Sequence, residues 1–431
     1  MKKLIITLFI IHFSTRFIFI LWNGFYNNYK LQPDSIWLVE FGLKNAANLN
    51  FNFELPRFVV SPLFPSLVGM LNIVFGKNWD VLLIIIQLLL SSLSGVYIYK
   101  IGALLFNNKV GIISSFIFSI FPHTLWYTNT FSQECIFQIL FILSIYYLIK
   151  SIKKNSSYFV LLSSVFFSLS YLTKSHILLF LIFIPIIYFH FYGLKKQTFV
   201  YSFLFVAISF IFSIPYGTYT LKNHQQYILS SNGAGYQFYL GNTEAGYKTI
   251  VDPPDRHTYE FKKLQDITNT AGYFNGSQKY YDSILSLPQK EKQLIFFKEG
   301  INWIKSNPKK FIELKLYNIV FFLIPGVSWR HYNFSIWFFS FLSSLPIYLS
   351  AYYAMFKLLK NKNKNIIFLF YIFISMLMFS LVWYVQNRFR TITIEPFYII
   401  YAAYVFTHVI EKKIPALNKR LTRMIGDEIS K

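Results

Sequence analysis

The chain has 431 residues, of which 55% are hydrophobic, 21% aromatic and only 14% charged, and its mean hydropathy is positive. That balance excludes an ordinary soluble enzyme and points to an all-α polytopic membrane protein. The net charge of +23, from 41 Lys and Arg against 18 Asp and Glu, does not argue for nucleic acid, because the bases gather beside apolar runs as membrane topology requires.

In chain order, about ten stretches approach the ~20 apolar residues that a helix needs to cross the hydrocarbon. They begin near Leu4, Val81, Val110, Phe131, Tyr158, His176, Phe199, Phe334, Ile366 and Thr391. The first follows Met1-Lys2-Lys3, is interrupted by Arg16 and lacks a small-residue cleavage site, so it reads as a retained span rather than a leader. Lys2, Lys3, Lys109, Lys150, Lys153, Lys154, Lys195, Lys196, Lys357, Lys360, Lys362 and Lys364 fall at the N-terminus or in every second loop, which places these inside. An even number of spans then returns the basic tail 412–431 to the same side.

Two shorter apolar segments, Val59 to Gly76 and Phe311 to Pro325, carry prolines or polar residues and read as interfacial or re-entrant helices buried against protein. The organisation expected is an N-terminal transmembrane region 1–217 with a first outer loop 23–80, an outer-face soluble segment 218–310, a C-terminal transmembrane region 311–411, and the cytoplasmic tail. The outer segment is rich in Gly, Asn and Pro in its first half and shows a helical pattern from Pro288 to Ile304. Cys135 stands alone, so no internal disulfide braces the outer loops. Asn275-Gly276-Ser277 matches a glycosylation sequon, a tripeptide too common to carry weight.

Few residues offer chemistry. Asp34 follows the first span behind Pro33; a partly desolvated carboxylate at a membrane surface can take a proton from an acceptor, though Asp is also a favoured helix cap. Arg16, Arg57, Lys174, Arg388 and Arg390 sit on the outer half or outer ends of spans, where short loops otherwise avoid bases. Guanidinium there can grip phosphate bidentately or merely snorkel to headgroups. The pair in Arg388-Phe389-Arg390 favours phosphate, since both bases occupy one short outer connection. Glu134 opens a span, where an acid is costly unless paired or lining a cavity. The histidines show no pair at metal-ligand spacing, so no metal site is assigned, and no glycine-rich phosphate loop followed by lysine argues for an ATP-driven pump.

Several motifs, in this order, resemble those of the GT-C glycosyltransferases, in particular the protein O-mannosyltransferases and lipid A aminoarabinose transferases with their bacterial relatives. They are Asp34 after the first span; Pro62-Leu63-Phe64-Pro65 running to Phe75-Gly76; Pro122 then Glu134; and Leu172-Thr173-Lys174. Pro215-Tyr216, Lys222-Asn223 and Gly235 to Gly241-Asn242 follow, and then Arg388-Phe389-Arg390 with Pro396. The resemblance covers most of the chain. Departures are Ser35 where many relatives have a second acid, and Lys174 and Lys222 where many have arginine.

The resemblance implies a GT-C-like bundle, in a bacterial cell membrane with its active site outward, that moves a sugar with inversion from a polyprenyl-phosphate donor to a protein, lipid or glycan acceptor. Asp34 would be the base; Arg57, Lys174, Arg388 and Arg390 would hold the donor phosphate; Arg16, Glu134, Asn223 and Asn242 would be further cavity candidates. One loop carboxylate is too few to argue for a divalent ion. A flippase for lipid-linked sugars, or a polymerase or ligase of surface polysaccharide, would share the basic outer cavity; against the flippase, the chain shows no internal repeat.

Overall fold

The computed structural model describes residues 2–22, 33–46, 53–55, 58–251, 278–327, 334–383, 387–416 and 422. The described residues are overwhelmingly helical, and among them the only extended pairing is an isolated bridge between Glu54 and Val59. The chain is an integral membrane protein: six helices are long and apolar enough to cross a bilayer, or seven if Lys196–Ile211 and Ile214–His224, bent by 49°, make one span.

Helices stand at all the stretches expected from hydropathy, but the count of about ten spans is not reached. Asn108–Ile120 and Ser157–Thr173 are apolar yet only 13 and 17 residues long. Glu395–Lys413 begins with an acid and ends in Glu411-Lys412-Lys413. Of the two segments expected to be interfacial, Leu63–Phe75 runs into Trp79–Leu105 through a short 3-10 turn, giving 43 residues of nearly continuous helix. At 1.5 Å per residue that is about twice the hydrocarbon thickness, and at the join Gly76 takes φ +55°, a conformation that glycine adopts without strain. The other segment forms Pro308–Leu323, which is not among the candidate spans. The helical pattern from Pro288 appears as Gln289–Ser306. The soluble segment expected from Thr218 has its first residues inside Ile214–His224.

Tight helix contacts depend on glycine. A Cβ on Gly102 would lie 2.9 Å from the Gly111 Cα, and one on Gly95 would lie 2.1 Å from the His12 ring. His12 is thereby seated between three helices, with Nε2 2.8 Å from the Ser115 hydroxyl, which donates to the Gly95 carbonyl.

One end of the bundle collects the bases. Lys109 pairs with Glu411 at 3.2 Å, Lys153 donates to the Leu104 carbonyl, Asn365 donates to the Leu105 carbonyl, and Tyr201 donates to Asn155. The Gln133–Lys154 helix has 22 residues, so its first turn lies about 33 Å away, across one hydrocarbon thickness. At that far end a second apolar core unites the first loop region with later elements: Leu38, Val39, Phe64, Val68, Leu83, Phe131, Ile136, Tyr216 and Ile228. The segment after His224 is laced onto the strand-like 59–61 by hydrogen bonds from the Val59 amide to Asn232 (2.7 Å) and from Ser231 to the Val59 carbonyl (2.8 Å), and Tyr216 of the preceding helix donates to the Val60 carbonyl (2.8 Å).

Candidate functional site

The far end holds a buried charge cluster drawn from three elements. Glu134 occupies the first turn of Gln133–Lys154, where the helix dipole favours an acid. Lys174 stands where Ser157–Thr173 ends in extended backbone, ahead of the unusually long 3-10 run Ser175–Ile182. Arg388 lies on the short helix Asn387–Thr393. Lys174 Nζ is 2.8 Å from Glu134 Oε1 and Arg388 Nη1 is 3.5 Å from the same oxygen. The side chains of Glu134 and Lys174 are 2% and 5% exposed and that of Arg388 19%, so the cluster is enclosed except on its arginine edge.

An aromatic strip borders this cluster. The Lys174 ammonium sits 4.9 Å from the Phe389 ring centre, and Phe389 packs at 4.9 Å on His176 and 5.8 Å on Phe379, which stacks on Trp383. Trp383 in turn donates its indole N–H to the Ala234 carbonyl, joining the strip to the 218–310 segment. Cation and apolar surface side by side are what an amphiphilic phosphate requires.

Arg390 is placed differently. Two residues apart on a helix means about 200° of rotation, so Arg390 turns away from Arg388 and into the bundle. Its guanidinium donates to the carbonyls of Phe321 (2.9 Å), Phe322 (3.2 Å), Ile324 (2.5 Å) and Gly326 at the end of the Pro308–Leu323 helix, and its Nε lies 3.7 Å from Glu395. Glu395 also accepts from Tyr348 at 2.5 Å and meets His123 Nδ1 at 2.7 Å, while His123 Nε2 reaches Ser340 at 2.7 Å. Sequence reasoning missed Glu395 and Tyr348 and passed over His123. The signal for Glu395 was available, as a lone acid inside the run Thr391 to Val405.

The remaining candidates scatter. Arg16 is fully buried, its Nε donating to Ser91 at 2.5 Å and its Nη1 3.1 Å from His12 Nδ1. Asn223 is exposed and bonds the Tyr219 carbonyl one turn back. Asn242 is buried and donates to the carbonyls of Phe238 (2.6 Å) and Val382 (3.0 Å), clasping the outer segment to the end of Ile367–Val382. Its neighbour Gly241 accepts from Lys315 Nζ at 3.1 Å, and burial lowers the Lys315 ammonium to about 8. Asp34 lies in the first turn of Pro33–Ala46, behind Pro33 at the helix start rather than at the cap position. Arg57 lies outside the described residues. Among the described residues no group of three His, Cys, Asp or Glu side chains is arranged to hold a metal ion.

Residues 59–218 match the dolichyl-phosphate-mannose-protein mannosyltransferase family, a region that contains Glu134 and Lys174. No curated protein matches the sequence significantly. Among solved structures, the archaeal oligosaccharyltransferase AglB from Archaeoglobus fulgidus, in complex with an inhibitory peptide and a dolichol-phosphate, superposes with TM-score 0.60 at 14% identity, over 99% of this chain and 52% of that one. The apo form of the Archaeoglobus fulgidus oligosaccharyltransferase gives 0.59 at 14% identity, over 98% and 52%. ArnT from Cupriavidus metallidurans bound to undecaprenyl phosphate gives 0.36 at 11% identity, over 96% and 80%. The chain spans about half the length of the archaeal enzymes, and what it shares with them is the fold.

Proposed function

We propose that this chain, which carries the GT-C glycosyltransferase fold and a mannosyltransferase-family region, moves a sugar from a polyprenyl-phosphate donor to an acceptor at the outer face of the membrane. The observation that carries this reading is the convergence of Lys174 and Arg388 on one buried point beside an aromatic strip. As the bond between sugar and phosphate breaks, negative charge grows on the lipid phosphate, and fixed cations in an enclosed site stabilise it without reorganising. The isoprenoid chain would run along Phe379, Phe389 and Trp383.

Orientation follows from charge. The lysine-rich end belongs inside by the positive-inside rule, which turns the Glu134 end and the 218–310 segment outward. Asp34 is the proposed base, taking the acceptor proton while the acceptor attacks the anomeric carbon from the face opposite the phosphate, hence with inversion. Its helix supplies Leu38 and Val39 to the same apolar core as Ile136, two residues beyond Glu134, which supports placing base and cations at the same end of the bundle. Arg57, in the same loop as Asp34, is a further cation for the donor. Arg390 acts in this reading as a positioning residue, anchoring the helix that presents Arg388.

The test is transfer by purified protein from a panel of radiolabelled polyprenyl-phosphate sugars to envelope acceptors, comparing wild type with Asp34→Asn. Label reaching the acceptor only with wild type is the expected result. Movement of intact donor across proteoliposomes without cleavage would replace the transferase by a flippase, and full transfer by Asp34→Asn would remove that residue from the mechanism.

A further inference from the structure

We infer a binding site for one anionic phospholipid at the lysine-rich end of the bundle, where Lys100 and Lys150 lie on a shelf of aromatic rings. Lys100 stands in the last two turns of Trp79–Leu105 and Lys150 in the last two turns of Gln133–Lys154. At 1.5 Å per residue their backbones are about 6–8 Å short of the helix ends, a depth from which a lysine reaches the headgroup layer. Lys100 Nζ lies 4.3 Å from the Tyr97 ring centre and 5.9 Å from that of Tyr146; Lys150 Nζ lies 5.6 Å from Tyr146 and 4.3 Å from Phe159. Two cations thus share one ring, and they are close enough to repel one another. Among the described residues no carboxylate lies within ion-pair distance of either. Ring faces attract the ammoniums but leave their charge in place. Two nearby lysines are occupied differently: Lys109 meets Glu411 at 3.2 Å and Lys153 donates to the Leu104 carbonyl.

The shelf is continuous across three helices. Tyr97 meets Tyr146 edge to face at 5.1 Å, Tyr146 meets Tyr147 at 5.0 Å, and Tyr147 stacks on Phe166 of Ser157–Thr173 at 5.6 Å. Rings of this kind favour the boundary between membrane and water. Tyr97, Tyr146, Tyr147 and both lysines are half-buried, so the shelf is open on one side. From Lys100 toward the membrane centre, Tyr97, Leu93, Leu89 and Ile85 follow at steps of three or four residues, which puts them on one face of the helix. Leu93, Leu89 and Ile85 are 38%, 39% and 42% exposed. That apolar ridge decides the ligand, because a free phosphate would use the lysines alone, whereas a phospholipid sets its headgroup on them and an acyl chain along the ridge. Its phosphodiester carries one negative charge and offsets the repulsion between the two ammoniums. A zwitterionic lipid would bring its own cation toward the lysines and gains less.

The experiment measures binding of phosphatidylglycerol and phosphatidylcholine to the purified protein in an uncharged detergent by native mass spectrometry. Wild type should bind phosphatidylglycerol about thirtyfold more tightly, the scale of two lysines acting on one anionic headgroup. Lys100→Gln/Lys150→Gln should bring the ratio close to one, with phosphatidylcholine binding unchanged, and each single substitution should give an intermediate ratio. Lys357→Gln/Lys360→Gln removes the same charge from the last turn of Phe334–Lys360 and should keep the wild-type ratio. Equal binding of both lipids by wild type, or a wild-type ratio in Lys100→Gln/Lys150→Gln, would overturn the site. An equal fall in the Lys357→Gln/Lys360→Gln control would overturn it too, since overall charge would then select the lipid. Excess glycerol 3-phosphate should leave the lipid bound; displacement would reduce the site to one for free phosphate. Lys100→Arg/Lys150→Arg keeps both charges and should keep the preference, and a lost preference there would count against the site whatever the glutamine variants do. No readout involves Asp34 or sugar transfer, so this site and the proposed function stand or fall separately.

Discussion

Two buried charge clusters lie within a few residues of each other along Arg388-Phe389-Arg390, and they are built on opposite logics. Around Arg390 the donors are spent on the protein's own acceptors: four carbonyls at one helix end and the carboxylate of Glu395, itself held by Tyr348 and His123. Around Glu134 two cations share one carboxylate oxygen, and one of them stands at an open edge. A guanidinium held by several backbone carbonyls beside a carboxylate specifies a fold, because any departure strands a buried charge. Two cations that converge on one carboxylate at a partly open edge fit the proposed donor site. The difference separates two arginines that look equivalent in sequence.

The comparison breaks most visibly at Arg390. Arg390→Ala removes the donor from the carbonyls of Phe321, Phe322, Ile324 and Gly326 and leaves Glu395 short of a cation; the expected loss is about 3–5 kcal/mol of stability, read as a lower thermal unfolding midpoint in detergent. A variant as stable as wild type that no longer binds farnesyl phosphate would move Arg390 into the donor site. At Arg388 the pattern should invert. Arg388→Gln should leave the unfolding midpoint in place and lower transfer by roughly 10²–10³-fold, the scale of losing one preorganised donor to developing charge. Equal losses of stability in the two variants would erase the distinction between the clusters.

Much of the fold was legible because hydropathy and lysine placement are imposed by the bilayer. The apolar helices fell where expected, and the bases at Lys109, Lys153 and Lys364 meet at one end. The number of spans was not legible, since short helices such as Asn108–Ile120 can be apolar without crossing alone. Within the site, Glu134, Lys174 and Arg388 could be singled out from sequence by the cost of charge in a span, and the structure brings them together. Their mutual contact could not be foreseen, because Arg388 lies more than 200 residues beyond both Glu134 and Lys174. The roles of Arg388 and Arg390 were merged because their segment reads as a loop; once it is a helix, residues two apart must face opposite ways. Asn242 was a cavity candidate by motif, yet its amide donates to two backbone carbonyls.

Lys315 offers the smallest and most selective check, because it is a third arrangement of a buried base: an ammonium whose hydrogen bond runs to the Gly241 carbonyl, with the Phe311 ring 5.2 Å away. Burial lowers its ionisation from 10.5 to about 8, so the folded protein releases this proton before the unfolded chain does. Below pH 8 both states are charged and the contribution is constant. Between pH 8 and 10.5 the unfolded chain binds more protons, so stability should rise with pH over that window, by up to about 3 kcal/mol from this group. Lys315→Met should abolish that rise and raise the unfolding midpoint at pH 7, where the wild-type ammonium is still charged. A midpoint that falls at pH 7 instead would mean that the bond to Gly241 outweighs the cost of burying the charge. Lys315 would then join Arg390 as a base spent on the protein's own backbone carbonyls.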